Sequence, residues 1–117
     1  MHPQRGEVWW VSFDPSVGGE IQKTRPAVIL SNNAANSALN RVVVIPLSSQ
    51  TSKLYPSEVL INLNGEARKA MADQVMTASK QRLKSRLGSL SRSDITAVEK
   101  ILLFHLAIAR VSPTRVS

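Results

Sequence analysis

The chain has 117 residues, the length of one domain, and can bury about two thirds of its unfolded surface without covalent staples. It contains no cysteine, which excludes a disulfide framework, a thiolate nucleophile and cysteine-ligated zinc, and its two histidines, His2 and His105, are too few to build a metal site by themselves. Fifteen Lys and Arg against eight Asp and Glu leave a formal charge of +7, which favours a polyanionic partner, nucleic acid before acidic protein.

The opening Met1-His2-Pro3-Gln4-Arg5 lacks the apolar stretch of a signal peptide, and no window reaches the roughly 18 apolar residues of a membrane span. A cytoplasmic chain without membrane association is expected, with a single domain over residues 1–117, its core at 5–109 and a mobile tail at 110–117.

In chain order, Gly6-Glu7-Val8-Trp9-Trp10-Val11-Ser12-Phe13 is rich in strand formers and stops at the turn signal Asp14-Pro15-Ser16. Residues 17–24 form a Gly-rich polar loop, and Pro26 opens a second strand over 27–31, where its missing N–H does no harm. The polar stretch 32–37 separates this from Arg41-Val42-Val43-Val44-Ile45-Pro46-Leu47, an unbroken apolar run suited to a strand buried on both faces. Residues 58–63 make a fourth strand, Asn64-Gly65 a hairpin turn, and 69–72 and 73–78 two further short strands. A single helical turn fits 79–82, and 83–90 reads as a last strand, with Leu83, Ser85, Leu87 and Ser89 on one side, Lys84 and Arg86 on the other, and a bulge at Gly88. Ser91-Arg92-Ser93-Asp94 predicts a capped helix start with Asp94 reaching back to the cap. Ile95, Val98, Leu102, Leu106 and Ala109 then form one stripe, and Ile101, Phe104 and Ile108 widen it beyond what one sheet face needs, which suggests a subunit contact. Many short strands closed by one helix predict a mainly β fold, a small SH3-like β-barrel with a C-terminal α-helix.

No Gly-rich phosphate loop, His-Glu-x-x-His helix or nucleophile elbow is present. Polar residues instead gather at strand ends: Glu20 and Arg25 before the second strand, residues 48–51 after the third, and Asp73-Gln74 at the start of a later one. Lys80, Arg82, Lys84, Arg86 and Arg92 fall in a run without an acid, readable either as a ligand surface or as a solvated strand face. Five aromatics are too few for broad base stacking to dominate, and alternation sends Trp9 and Trp10 to opposite faces, so that one belongs to the core and the other is free to meet a base.

Arg5-Gly6-Glu7-Val8-Trp9, Phe13-Asp14-Pro15, Gly19-Glu20 and Arg25-Pro26-Ala27-Val28-Ile29-Leu30-Ser31 resemble the opening of the MazF/PemK (Kid) family of toxin endoribonucleases. The similarity continues through Val44-Ile45-Pro46-Leu47-Ser48-Ser49-Gln50, Tyr55-Pro56-Ser57-Glu58-Val59, Ala72-Asp73-Gln74-Val75 and Leu87-Gly88-Ser89-Leu90-Ser91, in the family's order and over about residues 5–109. The resemblance implies sequence-specific, metal-independent and cofactor-free cleavage of single-stranded RNA, in particular mRNA. The substrate's 2′-OH would attack the adjacent phosphorus and leave a 2′,3′-cyclic phosphate and a 5′-OH. A chain without thiolate, metal cluster or triad can assist such an attack by positioning and charge stabilisation.

Carried onto this sequence, the resemblance makes Arg25 the leading catalytic residue, Ser48 a hydroxyl donor in a position where the family often has threonine, and Glu20 either base or brace. Ser49, Gln50, Asp73 and Gln74 become substrate-contacting residues, the Asp-Gln pair reading base edges or bracing the site, with bracing favoured for Asp73, and Ser49 being the alternative to Ser48 if the alignment slips by one. It further implies a homodimer and a cognate antitoxin whose acidic segment competes with RNA for the basic surface. Two rivals remain, a gyrase-poisoning toxin on the same barrel that cuts nothing, and a basic nucleic-acid-binding module without catalysis.

Overall fold

The computed structural model describes residues 2–109. The elements run β1 (Glu7–Ser12), β2 (Thr24–Ile29), α1 (Asn33–Ala38), β3 (Arg41–Ser48), β4 (Glu58–Leu63), β5 (Glu66–Met71), β6 (Met76–Ser79), β7 (Leu83–Ser89) and α2 (Arg92–His105). Short 3₁₀ turns at Ala72–Gln74 and Lys80–Arg82 flank β6. The strands form one curled antiparallel sheet in the order β4-β5-β3-β2-β1-β7, with β6 paired to the other end of β3. The expected mainly β barrel-like fold with a C-terminal helix is thus present as a half-barrel. Its two ends are tied by a side chain, since Asn64 Nδ2 in the β4–β5 turn donates to Leu87 O of β7 at 3.1 Å.

Alternation along the central strands sorts the core into two layers. Val8, Val28, Ile45 and Leu47 face α2 and pack with Val98, Ile95, Ile101 and Leu102. Trp9, Val11, Ala27, Ile29, Val42 and Val44 face the inside of the curl, where Ala78 and Leu83 from β6 and β7 close over them. Both faces of β3 are therefore buried, as its unbroken apolar run predicts. Arg5 fastens the helix to the sheet by pairing with Glu99 and donating through Nε to Leu30 O at 2.9 Å.

The Asn64-Gly65 turn is of the left-handed type, with φ of 52° and 84°, which matches the twist of β4 and β5 and pairs Leu63 with Glu66. Ser91 caps α2 as predicted, accepting from Asp94 N at 3.1 Å. Asp94 does not reach back to the cap; its Oδ2 accepts from Asn62 N of β4 at 2.9 Å, tying the helix start to the sheet edge.

Four further expectations are corrected. Asp73 and Gln74 are not in a strand but in the 3₁₀ turn, where Val75 N reaches Ala72 O at 3.1 Å, and pairing resumes only at Met76. The polar segment after β2 is not a plain connector: Asn32 accepts from Ala35 N at 2.8 Å and starts α1. Strict alternation in β7 fails because its register against β1 shifts twice, leaving Leu87 and Lys84 without partners beside Gly88 and Leu83. The helical stripe stops short of Leu106 and Ala109, because α2 ends at His105 and Ala107 turns to φ 56°. The expected tail at 110–117 lies outside the described residues. Among the described residues no helix is long and apolar enough to cross a membrane.

Candidate active site

The face of the sheet that packs against α2 continues past the helix. Trp10 and Pro26, cross-strand partners on that face but outside the helix-packed cluster, line an open groove of about 580 Å³ together with Leu47. Trp9 is buried in the other layer and Trp10 is half-buried in the groove wall, so the structure decides which tryptophan is free to meet a ligand.

Arg25 enters the groove from the start of β2 and Ser48 from the end of β3, two strands joined side by side by the sheet. Arg25 Nε donates to Gln22 O at 3.3 Å, and among the described residues its two terminal nitrogens have no partner. A guanidinium held by one edge presents the remaining N–H groups as a fork for two anionic oxygens. Ser48 Oγ accepts from Gln50 N at 3.1 Å, which leaves its O–H to donate into the groove. Ser49 and Gln50 line the same wall.

Glu20, Asp73 and Gln74 line a neighbouring cavity of about 310 Å³, with Ile21 shared between the two. Among the described residues Glu20 makes no ion pair with Arg25; its Oε1 accepts from Val17 N at 2.7 Å within its own loop. Gln74 grips that loop from the 3₁₀ turn, accepting from Ile21 N and donating to Gly19 O, both at 3.3 Å. Asp14 closes the loop's base by accepting from Lys23 N at 3.0 Å. The structure thus gathers Arg25, Ser48, Ser49 and Gln50 in one groove and places Glu20, Asp73 and Gln74 behind it, around the loop that carries Arg25.

The acid-free basic run is not one surface. Arg82 donates to Ser12 O at 3.0 Å and Asp14 O at 2.8 Å, and Arg86 pairs with Glu7 at 2.9 Å, so both are structural struts outside the groove. His105 is hydrogen-bonded to Ser57 at 2.7 Å, also outside it. Among the described residues no group of His, Asp and Glu comes together to hold a metal ion.

Four groove residues carry charge or aromaticity that sequence reasoning did not assign, Arg68 among them. Lys69 and Glu58 form an ion pair of 2.9 Å with side chains 8% and 6% exposed, and Tyr55 stands beside them with its ring in solvent. The signal was present: a two-residue Asn-Gly turn sets the register so that Glu58 meets Met71 and Leu60 meets Lys69, which puts Glu58 and Lys69 on one face as diagonal neighbours.

Residues 4–106 match the family of PemK-like, MazF-like toxins of type II toxin–antitoxin systems. Endoribonuclease MazF9 of Mycobacterium tuberculosis is 33% identical in an alignment of 112 residues that covers 88% of this chain and 95% of that protein. Endoribonuclease toxin MazF of Escherichia coli is 40% identical over 73 residues, 62% of this chain and 65% of its own. Among solved structures, MazF from Deinococcus radiodurans superposes with a TM-score of 0.80 at 25% identity, over 92% of this chain and 98% of the other. An endoribonuclease in complex with its cognate antitoxin, from a mycobacterial species, shares the fold with a TM-score of 0.77 at 24% identity, over 93% and 99% of the two chains. With a family match over residues 4–106 and a relative aligned over most of both chains, this chain belongs to the PemK-like, MazF-like toxins of type II toxin–antitoxin systems.

Proposed function

We propose that this chain is a sequence-specific endoribonuclease that cleaves single-stranded mRNA without a metal ion and serves as the toxin of a toxin–antitoxin pair. The observation that carries this reading is the convergence of Arg25, Ser48 and Trp10, from three strands, on one open groove, with the Arg25 fork and the Ser48 hydroxyl facing no protein acceptor among the described residues.

In the proposed step the ribose 2′-oxygen attacks the adjacent phosphorus and the bond from phosphorus to the 5′-oxygen breaks. The 2′-hydroxyl proton passes to water in the open groove, the leaving oxygen takes a proton from water, and the products are a 2′,3′-cyclic phosphate and a 5′-OH. Negative charge builds on the two non-bridging oxygens, which Arg25 and Ser48 bind more strongly in the transition state than before it. Trp10 offers an aromatic face beside the phosphate. DNA lacks the nucleophile and remains whole. Gln74 acts by bracing the loop that leads into Arg25, Asp73 lines the cavity behind that loop, and Ser49 and Gln50 contact the bases.

Two copies of the chain are proposed to pair, and an acidic antitoxin segment to fold into the same basic groove on binding; relatives of the same fold are known in complex with their antitoxins. The test is to incubate the purified protein with a long RNA in EDTA and map the ends. Fragments carrying cyclic phosphate and 5′-OH at a recurring motif are expected; RNA left whole by a protein that inhibits gyrase would overturn the reading.

A further inference from the structure

One wall of the groove ends at Tyr55, the chain's one tyrosine. The residue is 54% exposed, yet it is firmly held. Its backbone N donates to Glu58 Oε1 at 2.8 Å, and that oxygen also receives Lys69 Nζ at 2.9 Å. Lys69 Nζ donates in addition to Lys53 O at 3.0 Å, so one buried ammonium and one buried carboxylate pin the chain on both sides of the ring. The same ammonium lies 5.4 Å from the ring centroid and Lys53 Nζ lies 4.9 Å from it, within reach of the ring's quadrupole.

A tyrosine that served only packing would bury its ring, because aromatic area in water forgoes the stabilisation that its size offers. Here the supports are buried and the ring is not. Lys69 is also the direct cross-strand partner of Ser48, so the support of the ring is the strand neighbour of the proposed phosphate ligand.

We propose that Tyr55 is a nucleobase-stacking residue of this groove. It receives the face of the base next to the phosphate held by Arg25 and Ser48, and Lys69 and Glu58 are positioning residues that fix the ring before RNA arrives. The proposal rests on reading the groove as an RNA site. Because the contact is a stack, it favours large bases over small ones without reading hydrogen-bonding edges.

The test measures binding of 2′-O-methyl homopolymers of A, C and U, which cannot be cut, to wild type, Tyr55→Phe and Tyr55→Leu, with melting temperatures recorded to confirm folding. Tyr55→Phe should bind as wild type does, and Tyr55→Leu should bind about 5- to 150-fold more weakly, most of all to A. With cleavable RNA the same loss should fall on KM and leave kcat nearly unchanged. A Tyr55→Leu protein that matches wild type on all three strands, while wild type binds and cuts RNA, removes Tyr55 from recognition and leaves the nuclease reading intact. A wild type that neither binds nor cuts RNA overturns both.

Discussion

Lys69 Nζ and Glu58 Oε1 stand 2.9 Å apart on neighbouring strands, both side chains almost fully buried, in the wall of a groove that is otherwise open to water. Neither charge has a neutral substitute for its partner: Glu58 Oε1 holds Tyr55 N as well, and Lys69 Nζ holds Lys53 O. Lys69→Met leaves a buried carboxylate alone and is expected to cost about 3–5 kcal/mol, whereas Lys69→Met combined with Glu58→Leu should recover most of that loss. Urea denaturation of the two single variants and the double variant checks this; additive losses would show that the two groups do not act as a pair.

Arg25 and Ser48 meet in the groove and share no partner with each other. Arg25→Ala should lower cleavage about 10³-fold or more with an unchanged melting temperature, since the residue's side chain braces nothing beyond Gln22 O. Arg25→Lys keeps the charge but loses the fork, and should fall between Ala and wild type. Ser48→Ala should lose about 10- to 1000-fold in single-turnover rate. An unchanged Ser48→Ala rate with an impaired Ser49→Ala would move the hydroxyl donor by one residue.

Glu20 can be a base or a brace, and its geometry separates the two. Its Oε1 accepts from Val17 N at 2.7 Å, a contact that a neutral amide oxygen can also make. Glu20→Gln is expected to cut RNA within about 3-fold of wild type and Glu20→Ala about 10-fold more slowly, because loss of a loop contact misplaces Arg25. A Glu20→Gln protein as slow as Glu20→Ala would instead make the carboxylate a proton acceptor.

Gly6 has φ 90°, and a Cβ placed there would lie 2.6 Å from Ile95 Cδ1 of α2. Gly6→Ala therefore imposes a left-handed backbone on an L-residue and makes the Ile95 side chain turn out of its packed position to clear the new methyl. A loss of about 2–4 kcal/mol is expected in thermal or urea unfolding. Gly65→Ala, at φ 84° with open space around it, should cost less, because only the backbone term remains.

Much of the architecture was legible from neighbouring residues alone. The run from Arg41 to Leu47 announces a strand buried on both faces, Asn64-Gly65 announces a hairpin and its register, and Ser91 announces the helix start. The places where local reading failed have one local cause and one distant one. Asp73 and Gln74 look like the opening of a strand, but Val75 N turns back to Ala72 O before pairing resumes at Met76. Asp94 fits a capping box, but Asn62 N of β4 is a competing donor that no helix pattern reveals.

Sequence by itself determined most of the succession of strands along the chain, the C-terminal helix and the grouping of polar residues at strand ends, because alternation, turn chemistry and capping act between residues a few positions apart. It also placed Arg25 and Ser48 at strand ends, and the pairing of β2 with β3 brought those two ends side by side. Tertiary structure decided the rest: Trp10 and not Trp9 faces the groove, Arg82 and Arg86 are struts, and Glu20, Asp73 and Gln74 stand behind the loop in a cavity of their own. It also decided that Lys69 and Glu58 are buried under an exposed Tyr55. Each of these depends on how far the sheet curls and which face the helix covers, and those are set by packing among residues far apart in the chain.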